Sequence, residues 1–343
     1  MSVQSIESSR DALSGRPATE ILSEMSDALR DVKSCVVTAH IAPDGDALGS
    51  CVGLVLGLRQ IGKAATAVFT DELPDRYREL LPHGVVERVT PEELAKRSVD
   101  WFVVLDTSEP ERIGTLQPVF FADGVKRMCL DHHQTYKSGR YQHELIITEA
   151  PATGRLVLAF LETLGVTLTP EIAHALWIAI ATDTGWFRFS NTGEWALRDA
   201  SRLVSHGIEV ESLHDQLYHD LSLPRARLVG HVLKNACTEH GGKLLWSFLS
   251  LEDRGSVSLR ELDGVIDYLK AIREAQIIAV IVQTGPDSFK ISLRARGEAN
   301  VERIARSFGG GGHVKAAGCR FAGTLDELGE LLRSRTGEQL LGP

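Results

Sequence analysis

No stretch of this 343-residue chain is both long and uncharged enough to span a bilayer, and its first twenty residues lack the apolar centre of a signal peptide. Cysteine is sparse. Cys35, Cys51, Cys129, Cys237 and Cys319 are odd in number and form no CxxC pair. That usage excludes a disulfide scaffold and suits a reducing cytoplasm, with Cys35 and Cys129 acting as small hydrophobes inside strand-like runs. Positive charge is also in deficit. A formal net charge of −9 is the wrong sign for a protein that tracks long duplex nucleic acid. A small phosphorylated substrate, drawn in by a local positive patch, fits that balance better. Gly/Ser-rich and Pro-rich linkers are missing, as is any internal repeat, so the length is read as two adjoining domains.

What is present alternates. Strand signals at residues 34–39, 66–70, 101–105, 127–130 and 145–147 are interleaved with helical spacing over 47–61, and helices follow over 153–164 and 170–183. This order predicts an α/β fold whose N-terminal parallel sheet carries helices on both faces. From residue 194 to 237 the pattern is helical and more charged. Beyond it a smaller C-terminal α/β unit is expected, with strands over 244–249, 277–283 and 288–293 and helices near 262–273 and 301–308. The expected divisions are a mobile lead-in over 1–20, a catalytic domain over 21–220 that ends in a helical connector, and a substrate-binding domain over 221–343.

The chemistry-bearing stretches are His40-x-x-x-Asp44-x-Asp46, Asp106, Asp131-His132-His133, Asp183 and the run Gly309 to Gly312 followed by His313. The first four sit at the end of an apolar strand-like run or at the tail of an apolar helix, where an open α/β sheet gathers its ligand-binding groups. One Asp in a turn is commonly there for hydrogen bonding alone. Several carboxylates at the ends of buried strands repel one another unless a cation lies between them. Asp44, Asp46, Asp106 and Asp183 supply four negative charges, and His40 and His132 two neutral imidazoles. Two divalent ions make that set neutral and leave affinity for hydroxide and phosphate. A shared carboxylate lets the ions sit about 3.5–4 Å apart, the spacing used for in-line phosphoryl displacement. Mixed His and carboxylate ligation favours manganese, with magnesium, cobalt and zinc compatible. Of the adjacent His132 and His133, only one readily reaches the same metal, so the other is free to contact phosphate or protonate a leaving oxygen.

Near the C-terminus, consecutive glycines allow backbone N–H groups to approach an anion, and His313 and Lys315 beside them favour that reading over a plain turn. Gly-Lys-Ser/Thr is absent, so the run is not a Walker loop. Alternation over residues 289–294 puts Lys290, Ser292 and Arg294 on one face of a strand. Trp186, Phe187, Arg188 and Phe189 are read as packing residues.

In order and wording these segments resemble the DHH phosphoesterase superfamily, over residues 34–320, and within it the NrnA-type oligoribonucleases that also act on 3′-phosphoadenosine 5′-phosphate (pAp). The resemblance implies that His40, Asp44 and Asp106 hold one metal and that Asp46, Asp106, His132 and Asp183 hold the other, with Asp106 bridging. It implies that Asp131 orients the site, that His133 faces the scissile phosphate, and that Arg294, His313 and Gly310, Gly311 and Gly312 bind substrate across a cleft in a DHH-associated domain. That domain argues against family II pyrophosphatases. The reaction implied is attack by a metal-bridged hydroxide on pAp or on short RNA, in exonuclease fashion. The alternatives are a phosphodiesterase for cyclic di-AMP or its linear product, and a non-catalytic nucleotide sensor. A full ligand set counts against the sensor. A long-strand exonuclease of the RecJ type would need further domains. The oligomeric state, a homodimer included, is left open.

Overall fold

A computed structural model describes residue 6 and residues 8–340, except 79, 135–138, 219–221, 260, 261 and 263; the side chains of Asp75 and His313 are also outside the description. The chain divides into two compact units, Met1–Asp220 and Leu221–Pro343.

In the first unit, α1 (Ala18–Leu29) leads into β1 (Ser34–Thr38), α2 (Gly45–Gln60), β2 (Ala64–Phe69), the short α3 (Asp75–Arg78), β3 (Val86–Arg88), α4 (Pro91–Ala95) and β4 (Trp101–Leu105). A 3-10 stretch (Pro110–Leu116), α5 (Gln117–Phe120), β5 (Lys126–Asp131) and β6 (His143–Ile146) follow. Then come α6 (Thr153–Thr163), α7 (Pro170–Asp183), α8 (Glu194–Val204) and α9 (Val210–Tyr218). The six strands are all parallel, in the order β3-β2-β1-β4-β5-β6. Strand alternation feeds two cores. Cys35, Val37, Val103, Leu105, Met128 and Leu130 pack under α1, α2, α6 and α7. Val36, Phe102, Val104, Cys129 and Ile146 meet Ile113, Leu116 and Phe120 on the other face. The parallel sheet with helices on both faces, read from the sequence, is the fold found.

The order reverses between β1 and β4, which creates the crevice where ligands collect in such sheets. Helix α2 starts just beyond β1, capped by Asp44, whose side chain accepts from the N–H groups of Asp46 and Ala47. It presses directly on α7. A Cβ on Gly45 would lie 2.3 Å from Thr182 Oγ1, and one on Gly49 2.3 Å from the carbonyl oxygen of Ala175. Only hydrogen fits there, and that closeness brings the start of α2 to the end of α7.

The lead-in differs from expectation over its described part. Ile6 is buried in the core, and the Asp11 side chain accepts from Ile146 N at 2.7 Å and Ser14 N at 2.6 Å. Ala12 N donates to Ile146 O at 2.7 Å, which ties this part of the segment to the end of β6. Helix α1 was not anticipated. Its buried Ile21, Leu22, Met25 and Leu29 alternate with a polar face that masks their period.

The second unit contains α10 (Leu223–Lys234), β7 (Cys237–Glu239), β8 (Leu244–Leu249), α11 (Leu251–Arg254), α12 (Val265–Lys270) and β9 (Ile277–Gly285). It continues with β10 (Ser288–Ala295), α13 (Val301–Ser307), β11 (Gly311–His313), β12 (Ala316–Ala322) and α14 (Leu325–Leu340). Its sheet runs β11-β12-β10-β9-β8-β7 and is antiparallel except for β8 against β9. Phe289, Ile291 and Leu293 of β10 face a core built with α13 and α14, and α10 and α12 cover the opposite face. The glycine run is an edge strand rather than a loop. Gly309 N and Gly310 N close the end of α13 by donating to Arg306 O and Ala305 O, and Gly311 pairs with Gly318. Among the described residues no helix is long and apolar enough to cross a membrane.

Candidate metal centre

Six of the expected ligands meet at the switch point of the parallel sheet. His40 follows β1, Asp44 and Asp46 open α2, Asp106 follows β4, His132 follows β5 and Asp183 ends α7. Two groups result, His40 with Asp44 and Asp106, and Asp46 with His132 and Asp183; within each, the candidate ligand atoms lie within 4.8 Å of one another. A third such grouping joins Asp106, His132 and His133.

Asp106 lies between the first two groups. Its Oδ2 is 3.3 Å from Nε2 of His40, and its Oδ1 is 3.6 Å from Nε2 of His132. Each histidine is turned by its other nitrogen, His40 Nδ1 lying 2.8 Å from Ile41 O and His132 Nδ1 3.1 Å from Ala150 O. Both carbonyls accept from Nδ1–H, so in the neutral ring, the form that binds a metal, each Nε2 carries the lone pair.

The acids are anchored by residues the sequence did not single out. Thr153 N and Gly154 N, at the start of α6, donate to Asp46 Oδ2 at 2.7 Å and Oδ1 at 2.9 Å. Ser50 Oγ donates to Asp46 Oδ1 at 2.9 Å, and Thr153 Oγ1 to Asp106 Oδ1 at 3.0 Å. Asn191 Nδ2 donates to Asp183 Oδ2 at 3.1 Å. Ser50, one helical turn beyond Asp46, was within reach of a spacing argument. Thr153 was not, because it is far along the chain from both acids it serves.

Electrostatics argue that this set is built for cations. Burial, then the carboxylates of Asp106 and Asp183, hold Asp46 well above the usual carboxylate range, and burial raises Asp183. Burial also pushes Asp106 up, but while the imidazoles are protonated the hydrogen bond from His40 and the charges of His133 and His132 outweigh it and hold it low. Nε2 of His132 and Oδ2 of Asp131 are fully buried without a hydrogen-bond partner among the described residues. An orphaned buried imidazole nitrogen such as Nε2 of His132 costs free energy that a bound ion would recover. Oxygen and imidazole donors in these groups fit a pair of divalent cations.

Asp131 is buried behind this set, and His133 is half-exposed. Asp131 Oδ1 accepts from both N and Nδ1 of His133, at 3.0 and 2.8 Å. That hydrogen bond pushes the His133 ring up to about 9. Nearby, Trp186 and Phe187 pack on the core as expected, on left-handed backbone (φ 59° and 62°), whereas Phe189 is largely exposed.

In the second unit, Lys290, Ser292, Gly310, Gly318 and Arg320 line a hollow of about 550 Å³. The alternation of β10 is as expected, with Lys290, Ser292 and Arg294 on the half-buried face. Arg294 Nε lies 3.4 Å from Asp267 Oδ1. Gly310 is packed against β12 so closely that a Cβ would sit 2.3 Å from the carbonyl oxygen of Gly318. The expected contact of the His313 side chain lies outside the described residues.

Residues 34–180 match the DHH family, N-terminal domain, and residues 230–337 match the DHHA1 domain. The chain is 32% identical over 307 residues to the bifunctional oligoribonuclease and PAP phosphatase NrnA of Thermus thermophilus, covering 89% of each sequence. It is 26% identical over 299 residues to the protein of the same name from Mycoplasma pneumoniae, covering 87% of this chain and 90% of that one. Among solved structures, an exopolyphosphatase-related protein from Bacteroides fragilis superposes with a TM-score of 0.83 at 24% identity, over 94% of this chain and 98% of that one, a likeness of fold.

Proposed function

The chain belongs to the DHH family, in its NrnA-type branch, and from that membership we propose that it removes the 3′-phosphate of pAp and degrades short oligoribonucleotides to mononucleotides. It is a metal-dependent phosphoesterase with two clusters of divalent-metal ligands. The observation that carries the reading is the double-faced position of Asp106, one oxygen toward each cluster. We assign His40, Asp44 and Asp106 to one cation and Asp46, Asp106, His132 and Asp183 to the other. Manganese is the ion this donor set favours, since imidazole nitrogen is a poor ligand for magnesium.

When bound, the two cations supply an activated water and offset the charge that builds on the phosphoryl group. The protein's own part is orientation and proton supply. Thr153, Gly154 and Ser50 hold Asp46 and Asp106 in place before substrate arrives. Asp131 fixes the His133 ring through Nδ1. In its protonated form the ring keeps an N–H at Nε2, and His133 serves as the general acid that protonates the leaving oxygen. Arg294, His313 and the run Gly310 to Gly312 are the residues of the second unit that we assign to nucleotide binding. A reducing cytoplasm is the proposed compartment, all five cysteines being unpaired.

One assay tests the substrate. Purified protein with manganese is given pAp, a ribodinucleotide and cyclic di-AMP at equal concentrations. We expect kcat/KM for pAp and the dinucleotide to exceed that for cyclic di-AMP by at least about 10-fold, a transition-state difference of roughly 1.4 kcal/mol. A preference for cyclic di-AMP would replace this reading with that of a cyclic-dinucleotide phosphodiesterase. Binding without turnover of any of the three would make the chain a sensor.

A further inference from the structure

Beside the carboxylates of Asp44 and Asp183 lies a hollow of about 160 Å³, walled by Arg76, Tyr77, Thr182 and Tyr218. Pockets that enclose a drug-sized molecule run to about 300–1,000 Å³, so this one is sized for a single group of a ligand. Its walls are firm. Tyr77 is buried in the core, and the guanidinium carbon of Arg76, an exposed residue, lies 4.9 Å from the centre of its ring, a cation–π contact. Tyr218 is braced by Trp186 at 5.6 Å and His214 at 5.1 Å between ring centres, and Trp186 is itself held in left-handed backbone.

Among the described residues no carboxylate is paired with Arg76. Its neighbours across the hollow, Asp44 and Asp183, are both assigned above to cations. With those acids neutralised, the guanidinium, which also hydrogen-bonds the Tyr77 side chain, lines a small space at the edge of the metal centre with donors to spare. A planar fork of N–H groups recognises a tetrahedral oxyanion by paired, charge-assisted hydrogen bonds. We propose that Arg76 contacts the phosphoryl group of the substrate, and that this hollow is an oxyanion subsite adjoining the two metals. The proposal rests on the phosphoesterase reading above. Because the charge on the phosphoryl oxygens is redistributed in the transition state, the contact acts on kcat as well as on binding.

The test uses the full chain loaded with manganese, with Arg76→Ala and Arg76→Lys. Three quantities are measured: manganese binding by calorimetry, the affinity for orthophosphate, and kcat and KM on bis(p-nitrophenyl) phosphate. The expected result is unchanged manganese binding in both variants, with orthophosphate affinity and kcat reduced roughly 10- to 100-fold in Arg76→Ala. Arg76→Lys should recover part of the loss, keeping the charge without the fork. Orthophosphate binding equal to the parent in Arg76→Ala would overturn the subsite, as would a manganese-loaded parent that binds no orthophosphate. Parallel loss of manganese from both variants would also overturn it, by placing Arg76 in support of the metals. If the parent hydrolyses none of the nucleotides yet orthophosphate binding still depends on Arg76, the proposed function fails and the subsite stands.

Discussion

Asp106 offers its two carboxylate oxygens to different histidines, Oδ2 to His40 at 3.3 Å and Oδ1 to His132 at 3.6 Å. The residue adopts φ 61°, left-handed backbone that costs a non-glycine residue about 1–3 kcal/mol. Its N–H is held by Leu130 O at 3.1 Å, so β5 helps impose that conformation. Strain at a residue that reaches both metal clusters is what a preorganised site requires.

Asp106→Ala should therefore be the most damaging single substitution. Its cost in turnover should exceed the roughly 10- to 100-fold that follows loss of a residue merely supporting a metal ligand. Calorimetry should show weakened binding of both manganese ions. Near-normal turnover in this variant would rule out Asp106 as the bridge.

Removal of metal should act on stability as well as on activity. Chelation should abolish hydrolysis, and manganese should restore it. Without cations, the buried acids around Asp46 repel one another, so added manganese should raise Tm. Saturation at 100 times Kd is worth about 2.7 kcal/mol. A melting curve indifferent to manganese would argue against cations within this set.

Thr153 ties two ligands together, its N–H on Asp46 and its hydroxyl on Asp106. Thr153→Val keeps the shape and the N–H but deletes the hydroxyl, and manganese affinity should fall about 10- to 100-fold. Thr153→Ser, which retains the donor, should recover most of it. Identical affinities in the two variants would leave the hydroxyl without a role at the metals.

His133→Ala should keep both metals, since Asp131 holds the ring as a proton donor. Loss of a general acid should lower kcat by about 10²–10⁴-fold. The deficit should shrink on a substrate whose leaving group is as acidic as p-nitrophenol, which departs without a proton. Equal deficits on p-nitrophenyl and ribonucleotide esters would remove the general-acid assignment.

Arg294→Ala should discriminate between substrates. Hydrolysis of bis(p-nitrophenyl) phosphate should be nearly unchanged, whereas pAp should lose kcat/KM, mainly through KM if the contact is equal in ground and transition states. Equal losses on both, in a folded protein, would mean that the second unit does not bind the nucleotide.

The sequence by itself determined the chemistry of the centre and the class of the fold. Apolar runs ending in Asp106 and Asp131, and an apolar helix ending in Asp183, are local patterns, and so is the alternation that puts Lys290, Ser292 and Arg294 on one face. Local patterns survive in one dimension because helix and strand periods act between near neighbours. Helix α1 is hidden in one dimension because its polar face breaks the apolar run, and nothing local reveals that Gly311 pairs with Gly318. Which oxygen of Asp106 meets which histidine, that Thr153 serves two acids, and that Arg76 closes a hollow beside Asp44 were decided only by the tertiary structure. Those contacts join residues brought together at the switch point between β1 and β4 and by the close crossing of α2 on α7, and no spacing within a single segment encodes them.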